Sequence, residues 1–195
     1  IPEQLLFLTN LEELALENNR LTGAIPAGLA QMSSLTQFSV ANNPGLLIPL
    51  ADPAERDALI AFYHATGWDN WLNKEGWLGA EGTECSWFGI TCTNQQVIHL
   101  YMVTGLSTDD NGITTILGNN LVGQLPSEIG FLKNLRILSL PSNSGLTGAI
   151  PAEIGQLKQL QILSLTANNL TGPIPEQIGE LSELISLNLM RNALD

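Results

Sequence analysis

Basic residues are scarce in this 195-residue chain: 7 Lys and Arg stand against 19 Asp and Glu, a formal net charge of −12. Cations so few and so scattered exclude nucleic acid and anionic membrane surfaces as partners. Histidine is scarcer still, with His64 and His99 alone, and neither lies near a nucleophile motif or a metal-spaced cluster. That inventory points away from catalysis, from a bound metal and from any cofactor. No apolar run reaches about 18 residues, so membrane insertion is not expected. The opening IPEQLL reads as mid-repeat sequence rather than a leader, so any targeting segment is removed or lies outside these residues. The two cysteines, Cys85 and Cys92 in CSWFGITC, leave a buried thiol pair and a local disulfide both open. Charged residues make up 13% and hydrophobic ones 44%, a balance that excludes a disordered chain.

What is present is a repeat. From Ile150, IPAEIGQLKQLQILSLTANNLTGP is a 24-residue unit of the form IPxxIxxLxxLxxLxLxxNxLxGx, and IPEQIGELSELISLNLMRNALD follows in the same phase. A period of this length with this leucine spacing marks a leucine-rich-repeat solenoid. One repeat cannot bury its apolar face alone, so neighbours stack around a shared core. Residues 1–24 and 25–50 are two further repeats, the second weakening at its end, where LxGxIP becomes LLIPL. Asn19, Asn43, Asn119, Asn143, Asn168 and Asn192 fall in phase. An Asn at that turn pairs backbone groups of adjacent turns that would otherwise be buried unpaired, so the six read as a structural ladder.

Between the repeats the composition changes. ADPAERDALIAFYHATG (51–67) reads as a helix, with Asp52 as N-cap, Pro53 at N1, Glu55 completing a capping box and Gly67 as the stop. Trp68, Trp71, Trp77 and Trp87 follow, then CSWFGITC and a strand over 97–102. A Trp-rich segment before a solenoid reads as a cap over the first repeat, with a sugar-stacking platform as the other use of such a cluster. VTGLSTDDNG (103–112) interrupts the pattern with a strong turn signal, read as an inserted hairpin or loop. Its acids do not match the spacing of an EF-hand calcium loop.

These motifs resemble a known family. GxIPxxIGxLxxLxxLxLxxNxLxG is similar to the plant-type leucine-rich repeat of receptor-kinase ectodomains and polygalacturonase-inhibiting proteins. DPAERDALIAFYHATGWDNW…CSWFGITC…VIHL resembles the amino-terminal cap that precedes such repeats, in a form close to algal, oomycete and bacterial members. The resemblance implies an α/β solenoid: a right-handed superhelix with a parallel sheet on its concave side and a helical, Trp-rich N-terminal cap. It implies that Cys85 pairs with Cys92, that the protein is secreted or displayed on a cell surface, and that it binds proteins, peptides or glycans without catalysis.

The expected domains are 1–50, two repeats ending one solenoid; 51–95, the cap; and 96–195, further repeats cut mid-repeat. Two residues inserted between Asp195 and Ile1 would restore the period from Asn192 to Asn19. The chain therefore reads as a window on a tandem array of cap-plus-repeat modules, with head-to-tail self-association between open ends. In each LxxLxLxxN stretch the x positions face outward. The expected concave binding face comprises Ile137, Ser139, Ile162, Ser164, Thr166, Ser186, Asn188, Met190 and Arg191, free of aromatic residues, which weighs against a glycan. Asn169-Leu170-Thr171 is a glycosylation sequon on a turn. Two functions follow: an extracellular interaction module for a protein, peptide or glycan, or a structural module assembling end to end in a wall, sheath or surface filament. A weaker third is adhesion to a regular surface such as ice.

Overall fold

The computed structural model describes residues 1–195, the side chains of Ala27 and Ala30 excepted. It forms two compact units, one of Ile1–Pro49 with Ala80–Thr83, the other of Leu50–Gly79 with Glu84–Asp195.

In the first unit, β1 (Glu13–Ala15) lies parallel to β3 (Gln37–Ser39), and β2 (Thr22–Ala24) parallel to β4 (Gly45–Leu47). Short 3-10 turns at Glu3–Phe7 and Ala27–Gln31 each follow a proline. Its interior is thin. Leu29 and Leu46 are buried, but Leu14 and Leu16 are only half-buried and Phe38 is exposed. Asn43 ties the two repeats together: its amide donates to the Leu16 and Val40 carbonyls, and its oxygen accepts from the Leu21 N–H.

The second unit begins with α1 (Pro53–Ala65). Asp52 caps it by accepting from the Ala54 N–H, Pro53 fits a position whose N–H has no helical partner, and Gly67, at φ 64°, ends it in the left-handed conformation. Leu59, Phe62 and Tyr63 are buried against Trp71, Trp77 and Trp87. The Trp71 and Trp77 indoles donate to the Thr66 and Phe88 carbonyls, so these rings are core with their polar ends satisfied, rather than a platform open to sugars. Cys85 and Cys92 are joined in a disulfide.

The capping box does not form as read. Glu55 is instead buried, with one carboxylate oxygen accepting from the Val97 N–H and the other from the Asn134 amide. Desolvation raises its pKa above the usual carboxylate value. One side chain thus fastens the cap helix to both the first solenoid strand and the following repeat.

The strands then build two sheets along the repeats and a separate two-stranded hairpin. β5 (Ile90–Thr93) is antiparallel to β6 (Gln96–Tyr101). β7 (Val103–Thr108) and β8 (Thr114–Gly118) form a hairpin, which is the insertion read from the sequence. There follow β9 (Val122–Gly123), β10 (Ile137–Ser139), β11 (Gly145–Gly148), β12 (Ile162–Ser164), β13 (Asn169–Gly172), β14 (Ser186–Asn188) and β15 (Ala193–Leu194). The concave sheet has the order β14-β12-β10-β6-β5, and a lateral sheet the order β15-β13-β11-β9. Between them run 3-10 turns, each led by a proline, Pro126, Pro151 or Pro175.

Why the leucines fall where they do is plain from the register. Leu138 sits beside Leu100 and Leu163, and Leu163 beside Leu187. Leu100, Leu138 and Leu163 are fully buried, each contributing about 1.5–3 kcal/mol. The Asn ladder closes the turns. Asn168 donates to the Leu140 and Leu165 carbonyls and accepts from the Asn143 N–H; Asn192 donates to those of Leu165 and Leu189 and accepts from the Leu170 N–H. Two rungs depart from the expected pattern. Asn119 exchanges both its bonds with the Asn73 backbone in the cap, because the cap stands where a preceding repeat would be. Asn19 is exposed and reaches only carbonyls of its own repeat.

Candidate ligand-binding face

The concave sheet of the second unit presents its outward side chains in rows fixed by register. One row runs His99, Ile137, Ile162, Ser186; the next runs Tyr101, Ser139, Ser164, Asn188. Adjacent members stand about 4.7–4.9 Å apart, the spacing of paired strands. Three-residue strands produce this regularity, since the flanking leucines lock each one at the same depth.

Not every candidate on these rows offers a free group. Ser139 is only 7% exposed, whereas Ser164 is half-buried. Asn188 is committed: its oxygen accepts from the Thr166 hydroxyl and the Met190 N–H. Ile162 is 36% exposed and Ile137 half-buried, which makes a shallow aliphatic pair, while Ser186 and Met190 are exposed. Arg191 is exposed at φ 56°, the position taken by Ala167 and Ser142 in the two repeats before it. It lies on the turn that closes the strand. Asn169 is exposed in β13 of the lateral sheet, not on a turn, and its amide donates to the Ser144 carbonyl.

The expectation of a face without aromatics is corrected. Tyr101 heads the serine row and is 46% exposed, with His99 heading the isoleucine row. Both lie on β6, and HLYM (99–102), which runs one residue past it, carries the repeat's alternation in another wording: Leu100 and Met102 are fully buried, and the Met102 N–H donates to the Ser139 carbonyl as the Leu140 N–H does to that of Ser164. Reading Met102 as a repeat leucine would have turned Tyr101 outward.

The first unit has its own groove of about 370 Å³, lined by Glu13, Ala15, Glu17, Gln37, Phe38 and Ser39 among others. The Ser39 hydrogen bond lowers the Glu17 pKa, so this groove carries negative charge. Among the described residues, no group of three or more His, Cys, Asp and Glu could hold a metal, and no helix is long and apolar enough to cross a membrane.

With the fold and face in view, family models match three stretches of the chain. Residues 52–93 match the leucine rich repeat N-terminal domain, and residues 10–32 and 159–181 match the leucine rich repeat. The chain carries a leucine-rich-repeat cap and leucine-rich repeats. Among solved structures, the leucine-rich-repeat chain is similar to a plant ice-binding protein at 28% identity, over 73% of this chain and 42% of that one, with a TM-score of 0.59. It is similar to the ectodomain of the receptor kinase SOBIR1 from Arabidopsis thaliana at 25% identity, over 75% of this chain and 71% of that one, TM-score 0.54. It also resembles the BIR3–SERK2 complex from Arabidopsis thaliana at 25% identity, over 70% and 68%, TM-score 0.53. The chain thus spans less than half the length of the ice-binding protein it matches.

Proposed function

We propose that this leucine-rich-repeat chain is an extracellular recognition module that binds a protein or peptide on the concave sheet of its second unit. The observation that carries the reading is the pair of registered rows, with exposed Tyr101 and Ile162 as apolar anchors among small polar groups such as Ser164 and Ser186. Rigid aromatic and aliphatic anchors beside adaptable hydroxyls suit a protein contact. Likeness to receptor ectodomains, one of them in a structure described as a complex, supports it. Tyr101 also makes a glycan ring an admissible ligand, by stacking. In a secreting eukaryotic host, Asn169 carries the N-glycan on the lateral sheet.

The test is a selection of phage-displayed linear 12-residue peptides on the immobilised full chain. Replacing Ser164 by Trp plugs the centre of the rows. Selected peptides should lose at least tenfold in affinity for that variant while its melting temperature stays within a few degrees. Undiminished binding would refute the concave site.

A second reading is favoured by the similarity to a plant ice-binding protein: the rows, at about 4.7–4.9 Å spacing, would lie against a crystalline surface. Unaltered ice recrystallisation at micromolar protein disposes of it.

A further inference from the structure

We infer that the β7–β8 hairpin is an edge-pairing site for an extended, basic segment of the partner, placed beside the concave face. This rests on the reading of the chain as a recognition module and names the chemistry of what it recognises.

The hairpin gathers four exposed apolar side chains. Leu106 is 68% exposed, Ile113 62%, Ile116 41% and Leu117 41%. Single exposed apolar residues need no explanation, but four within one two-stranded ribbon do. The ribbon forms a sheet of its own, joined to neither the concave nor the lateral sheet. A two-stranded ribbon with both faces in water is marginal, and a third strand is what would complete it.

Its backbone is nevertheless set before any partner arrives. The Asp109 carboxylate accepts from the Asn111 and Ile113 N–H groups, and the Thr108 and Thr114 hydroxyls meet at 3.1 Å. The Asp109 N–H donates to the Ile113 carbonyl, so bonded pairs alternate from there: Ser107 with Thr115 is bonded, whereas Leu106 with Ile116 and Thr108 with Thr114 are not. The N–H and C=O groups of those four residues point away from the ribbon along its two edges. Leu106 and Ile116 therefore supply both free edge groups and apolar side chains on one face. That combination, main-chain bonds for affinity and alternate side-chain contacts for specificity, is how a sheet edge takes up an extended peptide.

The base of the hairpin lies at the rim of the concave sheet. A Cβ on Gly118 would stand 2.4 Å from the Pro141 carbonyl oxygen and 2.3 Å from that of Ser142, so only glycine permits this approach. Pro141 and Ser139 are buried there, where Thr166 and Ser164 one repeat on are half-buried. Tyr101 precedes the hairpin by two residues. A segment paired to the hairpin edge is thus led onto the head of the serine row. Charge decides its composition: Asp110 is exposed at the tip, and the chain carries −12 overall, so Lys and Arg between the apolar residues are favoured.

The same peptide selection tests this separately from the concave reading. Ile116→Lys puts a like charge and a long polar side chain on the edge without touching a bonded pair, and Leu106→Thr keeps strand propensity while removing the apolar contact. The selected pool should alternate apolar and basic residues and lose at least tenfold for both variants. A pool that binds both variants as well as the parent overturns the inference, and if Ser164→Trp still abolishes it, the concave reading survives alone. Loss with the hairpin variants but not with Ser164→Trp supports the hairpin and refutes the concave site. If the chain elutes as a dimer that Ile116→Lys makes monomeric, the edge belongs to a second copy and the inference fails.

Discussion

The two units are written in the same repeat language and yet differ in depth. In the second, Leu138, Leu140, Leu163 and Leu165 are completely buried and the ladder asparagines bond across repeats. In the first, the equivalent Leu14 and Leu16 are half-buried, Phe38 is exposed, and Asn19 bonds only within its own repeat. The motif is therefore an instruction about facing, while burial comes from neighbours: a leucine in a stack is covered by the repeats on either side and by the cap. Tryptophan makes the difference measurable, because all four Trp lie in the second unit, so their fluorescence follows that unit while far-UV circular dichroism follows both.

The largest contrast should come from the core. Leu163→Ala removes a fully buried side chain from between two repeats and should cost about 2–5 kcal/mol by denaturant unfolding followed at Trp. Leu14→Ala should leave the Trp transition where it is. Equal losses in the Trp transition would mean that the two units unfold as one. Next comes the disulfide. Replacing Cys85 and Cys92 by Ser should destabilise the second unit by about 2–3 kcal/mol, from the loop-closure entropy of a short loop, and should spare the first. Asn143→Ala leaves the Leu121 N–H and the Pro141 carbonyl without their side-chain partner and should cost about 1–3 kcal/mol, whereas Asn19→Ala, exposed and local, should cost under about 0.5 kcal/mol.

The smallest effect is pH-dependent. Below about 4.3 Glu55 is protonated in folded and unfolded chains alike. Between that value and its raised folded pKa the native state holds the extra proton, so stability falls as pH rises through the window and stays lower above it. Glu55→Gln should flatten this slope for the Trp transition while keeping an acceptor for the Val97 N–H. A slope identical to that of the parent would assign the pH dependence to another group.

Most of the fold could be read because repetition multiplies weak signals: one LxxLxL is common, but several in phase leave one architecture. The helix start at Asp52-Pro53 was legible for local reasons, as capping depends on a few adjacent residues. Glu55 was misread on the same grounds. The local rule offered it the helix N-terminus, but its neighbours Val97 and Asn134 lie 42 and 79 residues away and offered buried donors instead. Tyr101 was missed because Met102 replaces the leucine that marks a strand's inner face. Ser139 shows a further limit: alternation says which way a side chain points, not whether it is left open to solvent.

The ladder also gives the stack a direction in time. Asn143, Asn168 and Asn192 each take the N–H of a residue that precedes them by 22 to 25 positions, and Asn168 and Asn192 also donate to a carbonyl of the earlier repeat. During synthesis from the amino end, every such backbone group is therefore made before the side chain that will claim it. Each new turn can close the one before without waiting for anything downstream, and the cap, which takes Asn119 in the same way, is where that succession begins.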